Sequence, residues 1–298
     1  MHMTAAAAGG GSRMVPPKQL LTIIIIVFCA LSFIKLLLIT ASSSSSAAAA
    51  AAAANARASA WGGAGNATGR GALAAKELLL LRSLVAARAP CRLLVFGLSP
   101  QLLALAAVNS GAGAGAATAF VTDSAEDADA ARRVLSGGGA GAVAFHRARY
   151  RDAAAEAWPL LRRARGSPAC RRPTGAVRRS GCPLALTSLP PEVLDAQWDV
   201  VVVDGPSGAG PEEPGRMGTI YTAAALARAA AAAAAAGAGG SKVDVAVHDV
   251  DRTVERWYAW EYLCEDNLVA AKGRLWHFRV AAGGPPDAFC SIGPAQIL

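Results

Sequence analysis

The run Val200 to Val203, entered from Trp198-Asp199 and left through Asp204-Gly205-Pro206, constrains this chain more than any other segment. Four consecutive β-branched apolar residues match a strand covered on both faces, as in the middle of a parallel sheet. Asp204 then stands at the strand's carboxyl end, the edge where open α/β sheets bind ligands. The loop beyond it ends in Pro211-Glu212-Glu213-Pro214-Gly215-Arg216-Met217. A rigid turn with an internal salt bridge, or acids placed for a helix dipole, would read the same. Three ionisable groups between and just after two prolines make Glu212, Glu213 and Arg216 candidates for substrate binding.

The sequence around this strand alternates between two periodicities. Helical spacing over Lys76–Arg88 precedes a strand at Arg92–Phe96 and a helix from Gln101 to about Val108. Strands follow at Ala117–Val121, Ala142–Phe145, Asp199–Val203, Val243–Val247 and Leu275–Val280. Helices are expected at Ala128–Leu135, Ala153–Arg165, Gly218–Ala236 and Val254–Tyr262. Such alternation predicts an α/β fold with a doubly wound, mostly parallel sheet. Strand, glycine turn, helix and a second strand ending in an acid form the nucleotide-binding half of a Rossmann-like fold. Gly97 occupies that turn and Asp123 that strand end, although the full GxGxxG fingerprint is absent.

Strand carboxyl ends collect at one edge, so Asp123, Asp204, His248 and Asp249 are expected to share a cleft. Asp123 could hold a ribose, and His248 or Asp249 could take a proton as general base. Asp204 with Asp249 could instead chelate a divalent cation. Plainer roles remain for each: His248 as a buried, satisfied histidine, and the two aspartates as caps. The aromatic helix around Trp257, Tyr258, Trp260 and Tyr262 suits core packing and, as the alternative, stacking on sugar rings.

The amino end reads differently. Leu20–Ile39 holds one charge, Lys35, in twenty residues. About 20 apolar residues cross a bilayer, whereas the apolar core of a cleaved signal is usually shorter. A signal anchor is therefore expected at 20–39, with a cytosolic tail at 1–19. Arg13 and Lys18 before the span, and no charge after it until Arg57, orient the remainder into a lumen. Residues 40–75 are a disordered Ala/Ser/Gly stem carrying the sequon Asn66-Ala67-Thr68, and 76–298 are the folded domain.

A lumenal domain favours disulfides. The local pairings Cys170–Cys182 and Cys264–Cys290 are expected, leaving Cys91 free, and no cysteine spacing suggests zinc. The formal net charge is +8, with arginines crowded between Arg147 and Arg179. They form a solvated face or a surface for an acidic polysaccharide; nucleic acid does not fit behind a membrane anchor.

The blocks VVVDGPSGAGPEEPGRMGTIYTAAALARA, VDVAVHDVDRTVE, EYLCEDNLV and GRLWHF resemble the plant polysaccharide-biosynthesis family of glucuronoxylan methyltransferases and irregular-xylem-fifteen-like proteins. The resemblance runs from about Ala89 to Cys290. It implies a type II Golgi membrane protein with a domain like S-adenosylmethionine-dependent methyltransferases, acting in xylan biosynthesis beside xylan synthase components. Gly97, Asp123 and Asp204 would then bind S-adenosylmethionine, with His248, Asp249 and Asp204 catalytic; a divalent metal is left open. Ser99 stands where methyltransferase members carry a glycine, and Asp204-Gly205-Pro206-Ser207-Gly208 is closer to the irregular-xylem-fifteen-like branch. The resemblance thus implies either methyl transfer to glucuronosyl residues of xylan or a non-catalytic factor for xylan assembly and chain length.

Overall fold

The computed structural model describes residues 26–28, 71–110, 115–135, 142–173, 176–236, 242–281, 285 and 287–291. The chain divides into a unit ending at Ala49 and another beginning at Ala50. In the first, only Ile26–Phe28 are described, as an exposed helical turn. The rest of the expected membrane span, the sequon and nearly all of the stem lie outside the described residues. Among those residues no helix is long and apolar enough to cross a membrane.

The second unit holds α1 (Ala75–Arg88), β1 (Arg92–Phe96), α2 (Pro100–Ser110), β2 (Ala117–Thr122), α3 (Ala125–Leu135) and β3 (Ala142–Arg147). Then come α4 (Ala157–Gly166), β4 (Val200–Val203), α5 (Met217–Ala236), β5 (Val243–Val247), α6 (Thr253–Leu263), β6 (Leu268–Lys272) and β7 (Leu275–Val280). The sheet order is β3-β2-β1-β4-β5-β7-β6. Neighbours from β3 to β5 are parallel, while β7 runs antiparallel to both β5 and β6. This parallel-dominant sheet with helices on both faces is the Rossmann-like methyltransferase arrangement.

Period two along each strand explains why both faces are covered. Leu94, Phe96, Val201, Val203, Val245 and Val247 pack into one core with α4, α5 and α6. Leu93, Val95, Val200 and Val202 pack into the other with α1 and α2. All four residues of β4 are buried, as the uninterrupted valine run requires.

Two expectations change. Leu268–Lys272 is a strand the periodicity did not reveal, because three of its five residues are small or charged and it is mostly exposed. It makes β7 an inner strand, joined to it by a turn in which Gly273 takes φ +58°. The segment expected as one helix over Ala153–Arg165 begins as a 3₁₀ turn at Ala154–Glu156 before α4. The alanine run continues α5 to Ala236, in line with the helix expected over Gly218–Ala236, with Ala230 and Ala231 buried. Both expected disulfides are present and Cys91 is free and buried.

Candidate functional site

The parallel strands deliver their carboxyl ends to one edge, and backbone bonds there fix which residues meet. Gly97 donates its N–H to Val121 at 2.8 Å, and Ala148 donates to Thr122 at 2.9 Å. Asp123, the next residue, therefore stands between the exits of β1 and β3, and it is exposed. Gly97 has φ +110°, a region that side chains rarely adopt. A Cβ there would lie 2.9 Å from the carbonyl carbon of Asp204, so the turns after β1 and β4 touch backbone to backbone. Ser99 accepts a hydrogen bond from the Leu102 N–H at 3.2 Å and caps α2.

His248, after β5, is fully buried between carboxylates. Its Nδ1 lies 2.7 Å from Asp204 Oδ1 and its Nε2 lies 3.3 Å from Glu77 Oε2. Each nitrogen can bond a carboxylate only as an N–H donor, which leaves no lone pair facing an incoming hydroxyl. Sequence reasoning put His248 forward as a base; here it orients Asp204. Glu77, contributed by α1 from outside the strand ends, accepts from the amides of Ala74 and Arg274, each at 2.6 Å. Burial raises the Glu77 carboxyl, but these two amides and the charges of His248 and Arg274 together hold it below its ordinary value.

Arg216 is 2% exposed, so it does not offer the substrate contact expected of it. It donates to the carbonyls of Pro206 at 2.8 Å and His248 at 2.9 Å. Its Nη2 is 3.0 Å from Asp249 Oδ2 and 3.4 Å from Asp204 Oδ1. Asp249 also meets Arg274 at 2.6 Å and Arg252 at 3.0 Å. Its Oδ2 faces two guanidiniums without an aligned hydrogen bond. Asp249 itself is held at φ +60°, and with no exposed surface it is an anchor for arginines rather than an accessible base.

Asp204, His248 and Asp249 offer ligand atoms within 4.8 Å of one another. Arg216 already bridges the two aspartates. Four carboxylates here (Glu77, Asp204, Asp249, Glu255) face three arginines and a histidine. Buried carboxylates need compensating charge, and the chain supplies it, so this set does not fit a divalent cation.

Of the remaining expected contacts, Glu212 and Glu213 are exposed. Glu213 accepts from the Ser207 hydroxyl and from the Ala209 amide at 3.1 Å, which hold its carboxyl below the ordinary value. Gly215 and Met217 of the same motif line a pocket of about 440 Å³, partly open to solvent, together with Arg149, Tyr150, Arg151 and Asp152. The Tyr150 hydroxyl is buried without a hydrogen-bond partner among the described residues. Burial first, then the charge of Asp123, push its phenol up, and Arg216 opposes them. Tyr150 and Asp152 were missed, although the rule that selects Asp123 selects any polar group just after a parallel strand. Glu77 and Arg274 had no such signal.

The aromatic helix divides its roles. Tyr258 is buried and donates to Ala157 O at 2.8 Å. Half-buried Trp257 meets Trp260 edge to face at 5.2 Å between centroids, and Trp260 meets Trp276 in a tilted contact at 5.3 Å.

Comparison with known proteins adds the following. Arabinogalactan O-methyltransferase 2 of Arabidopsis thaliana is 36% identical over 222 residues, 72% of this chain and 71% of that protein. Glucuronoxylan 4-O-methyltransferase 1 of the same plant is 32% identical over 68% of this chain and 66% of that protein. Protein IRREGULAR XYLEM 15 is 35% identical over 63% and 54% respectively. Among solved structures, the O-methyltransferase from Bacillus cereus in complex with SAH aligns at 10% identity and TM-score 0.43, over 77% of this chain and 90% of that one. The family model IRX15/IRX15L/GXM matches residues 76–278, which takes in six whole strands and most of β7, the Asp204–His248–Arg216 cluster and the pocket, and the chain belongs to that family.

Proposed function

We propose that this chain is a Golgi membrane protein that transfers methyl from S-adenosylmethionine to hydroxyls of glucuronosyl residues in a cell-wall polysaccharide, xylan being the first candidate. The observation that carries this reading is the position of Asp123: exposed, between the exits of β1 and β3, beside the turn after β1 in which Gly97 takes φ +110°. A carboxylate so placed can accept from ribose hydroxyls while the Gly97 turn admits the donor's backbone-close end. The pocket lined by Tyr150, Asp152 and Gly215 would hold the acceptor sugar. Within the triad Asp204, His248 and Asp249, only Asp204 keeps any side-chain exposure, 8% against none for the others. It is therefore the proton acceptor in this reading, and His248 positions it. The names of the relatives support polysaccharide O-methylation, and the apolar run 20–39 supports a type II anchor near synthase partners.

The second reading, a non-catalytic factor in xylan assembly, is favoured by one observation: both nitrogens of His248 are occupied. Calorimetric titration of S-adenosylmethionine into the full-length chain and its Asp123→Ala variant separates the two. Micromolar binding lost in the variant supports the donor site, and methyl transfer to glucuronoxylan then tests the acceptor. No heat of binding from a folded wild type leaves the assembly role.

A further inference from the structure

Between Arg147 and Arg179 the chain carries ten arginines, two acids and no lysine, a balance of +8 that equals the net charge of the entire protein. Only two of the ten meet a carboxylate among the described residues: Arg165 with Glu261 at 2.5 Å and Arg178 with Asp195 at 3.4 Å. A solvated face of this size normally mixes lysine and arginine. An all-arginine surface supplies planar forks that match carboxylates in bidentate fashion.

The surface is also concave in two places. Arg149 and Arg151 line the 440 Å³ pocket, which lies against Met217 and Gly218 at the start of α5. Arg172 and Arg179 line a second pocket, about 770 Å³ including open space, against Tyr221 and Ala225 of the same helix. At about 1.5 Å rise per residue, the three to eight residues between them separate the two by about 5–12 Å along the helix, the span of neighbouring rings in a polysaccharide. The disulfide Cys170–Cys182 ties the arginine segment to the stretch 180–188, whose first two residues line the second pocket and whose last six line the first, and Leu186 N–H donates to the Thr222 hydroxyl of α5 at 3.0 Å.

We propose that these two pockets are adjacent subsites for a polyuronate chain, the second pocket gripping, through Arg172 and Arg179, a uronosyl carboxylate beyond the sugar held in the first. This deepens the proposed function and rests on it for the identity of the first pocket. It adds to the proposed acceptor sugar a second uronosyl carboxylate on the same polysaccharide. Anionic lipid would present charge to a flat face and would not need two separate hollows.

The test uses the full-length chain with polygalacturonate as probe, compared with fully methyl-esterified polygalacturonate, neutral arabinan and vesicles containing anionic phospholipid. Arg172→Ser/Arg179→Ser removes the second pocket's charge, and Arg133→Ser/Lys272→Ser removes two exposed charges elsewhere. The expected result is binding to polygalacturonate alone, weakened at least tenfold by the first double variant and less than twofold by the second. Equal binding to the esterified polymer or to vesicles overturns the proposal, as does equal weakening by both variants. S-adenosylmethionine titration of the same preparations tells the two failures apart. Lost donor binding with retained polyuronate selectivity removes the methyltransferase reading and leaves the subsites, and the reverse removes the subsites alone.

Discussion

Arg216 and Asp249, thirty-three positions apart in sequence, meet at 3.0 Å with neither side chain more than 2% exposed. Through this pair the loop after β4 is locked to the loop after β5, since Arg216 also bonds the carbonyl of His248.

Removing the guanidinium leaves Asp249 and Asp204 short of charge inside the protein. Arg216→Met is expected to cost about 3–5 kcal/mol, the range for breaking a buried pair. Arg216→Lys should recover little, because an ammonium cannot span two carbonyls and two carboxylates. Urea unfolding measures both, and a loss below about 1 kcal/mol for the methionine variant would show that the cluster contributes little.

Because arginine already bridges the two aspartates, magnesium or manganese should not raise the melting temperature, and EDTA should not lower it. A cation bound at a hundred times its Kd would add about 2.7 kcal/mol, several degrees in a domain of this size. A rise of that order would mean that Arg216 yields its place to a metal.

Gly97→Ala combines a disfavoured φ with a Cβ 2.9–3.0 Å from backbone that cannot swing aside. The expected cost is about 1–3 kcal/mol, with donor affinity falling at least tenfold. Unchanged donor titration in a folded variant would remove this turn from the donor site.

Asp244, fully buried at the opposite edge of the sheet, is held at about 2 against an ordinary 3.8. Burial opposes this, but His277, Arg279 and Arg88, at 2.7, 2.9 and 2.6 Å, prevail. A depressed carboxyl contributes stability that is complete above its unfolded value and lost as pH falls through its folded one. Unfolding free energy should therefore drop by on the order of 2 kcal/mol between about pH 4 and pH 2. Asp244→Asn should abolish this limb without altering donor binding at neutral pH, checked by denaturation at stepped pH.

The sheet was legible because its signal is local. An uninterrupted valine run, a glycine turn and helical spacing each report burial over a few residues, and they placed six of the seven strands. β6 escaped because an exposed strand of small and charged residues owes its form to its partner β7 rather than to its own pattern. Asp123, Asp204, His248 and Asp249 were readable as one edge, since parallel strands must end together. Their roles were not. Arg216 looks like a surface contact in the motif and is interior, while Tyr150 and Asp152 reach the pocket only through the way the chain leaves β3.

The sequence alone determined the α/β class, the family and the edge on which the polar strand ends collect, because each follows from short-range periodicity or from motif, whereas the disulfide pairing was settled only by the fold. Only the tertiary structure decided that His248 is clasped between Asp204 and Glu77, partners 44 and 171 residues away, and that arginine holds the place between the aspartates. Those outcomes depend on which loops pack against each other, a matter of long-range burial and charge compensation that no window of sequence contains.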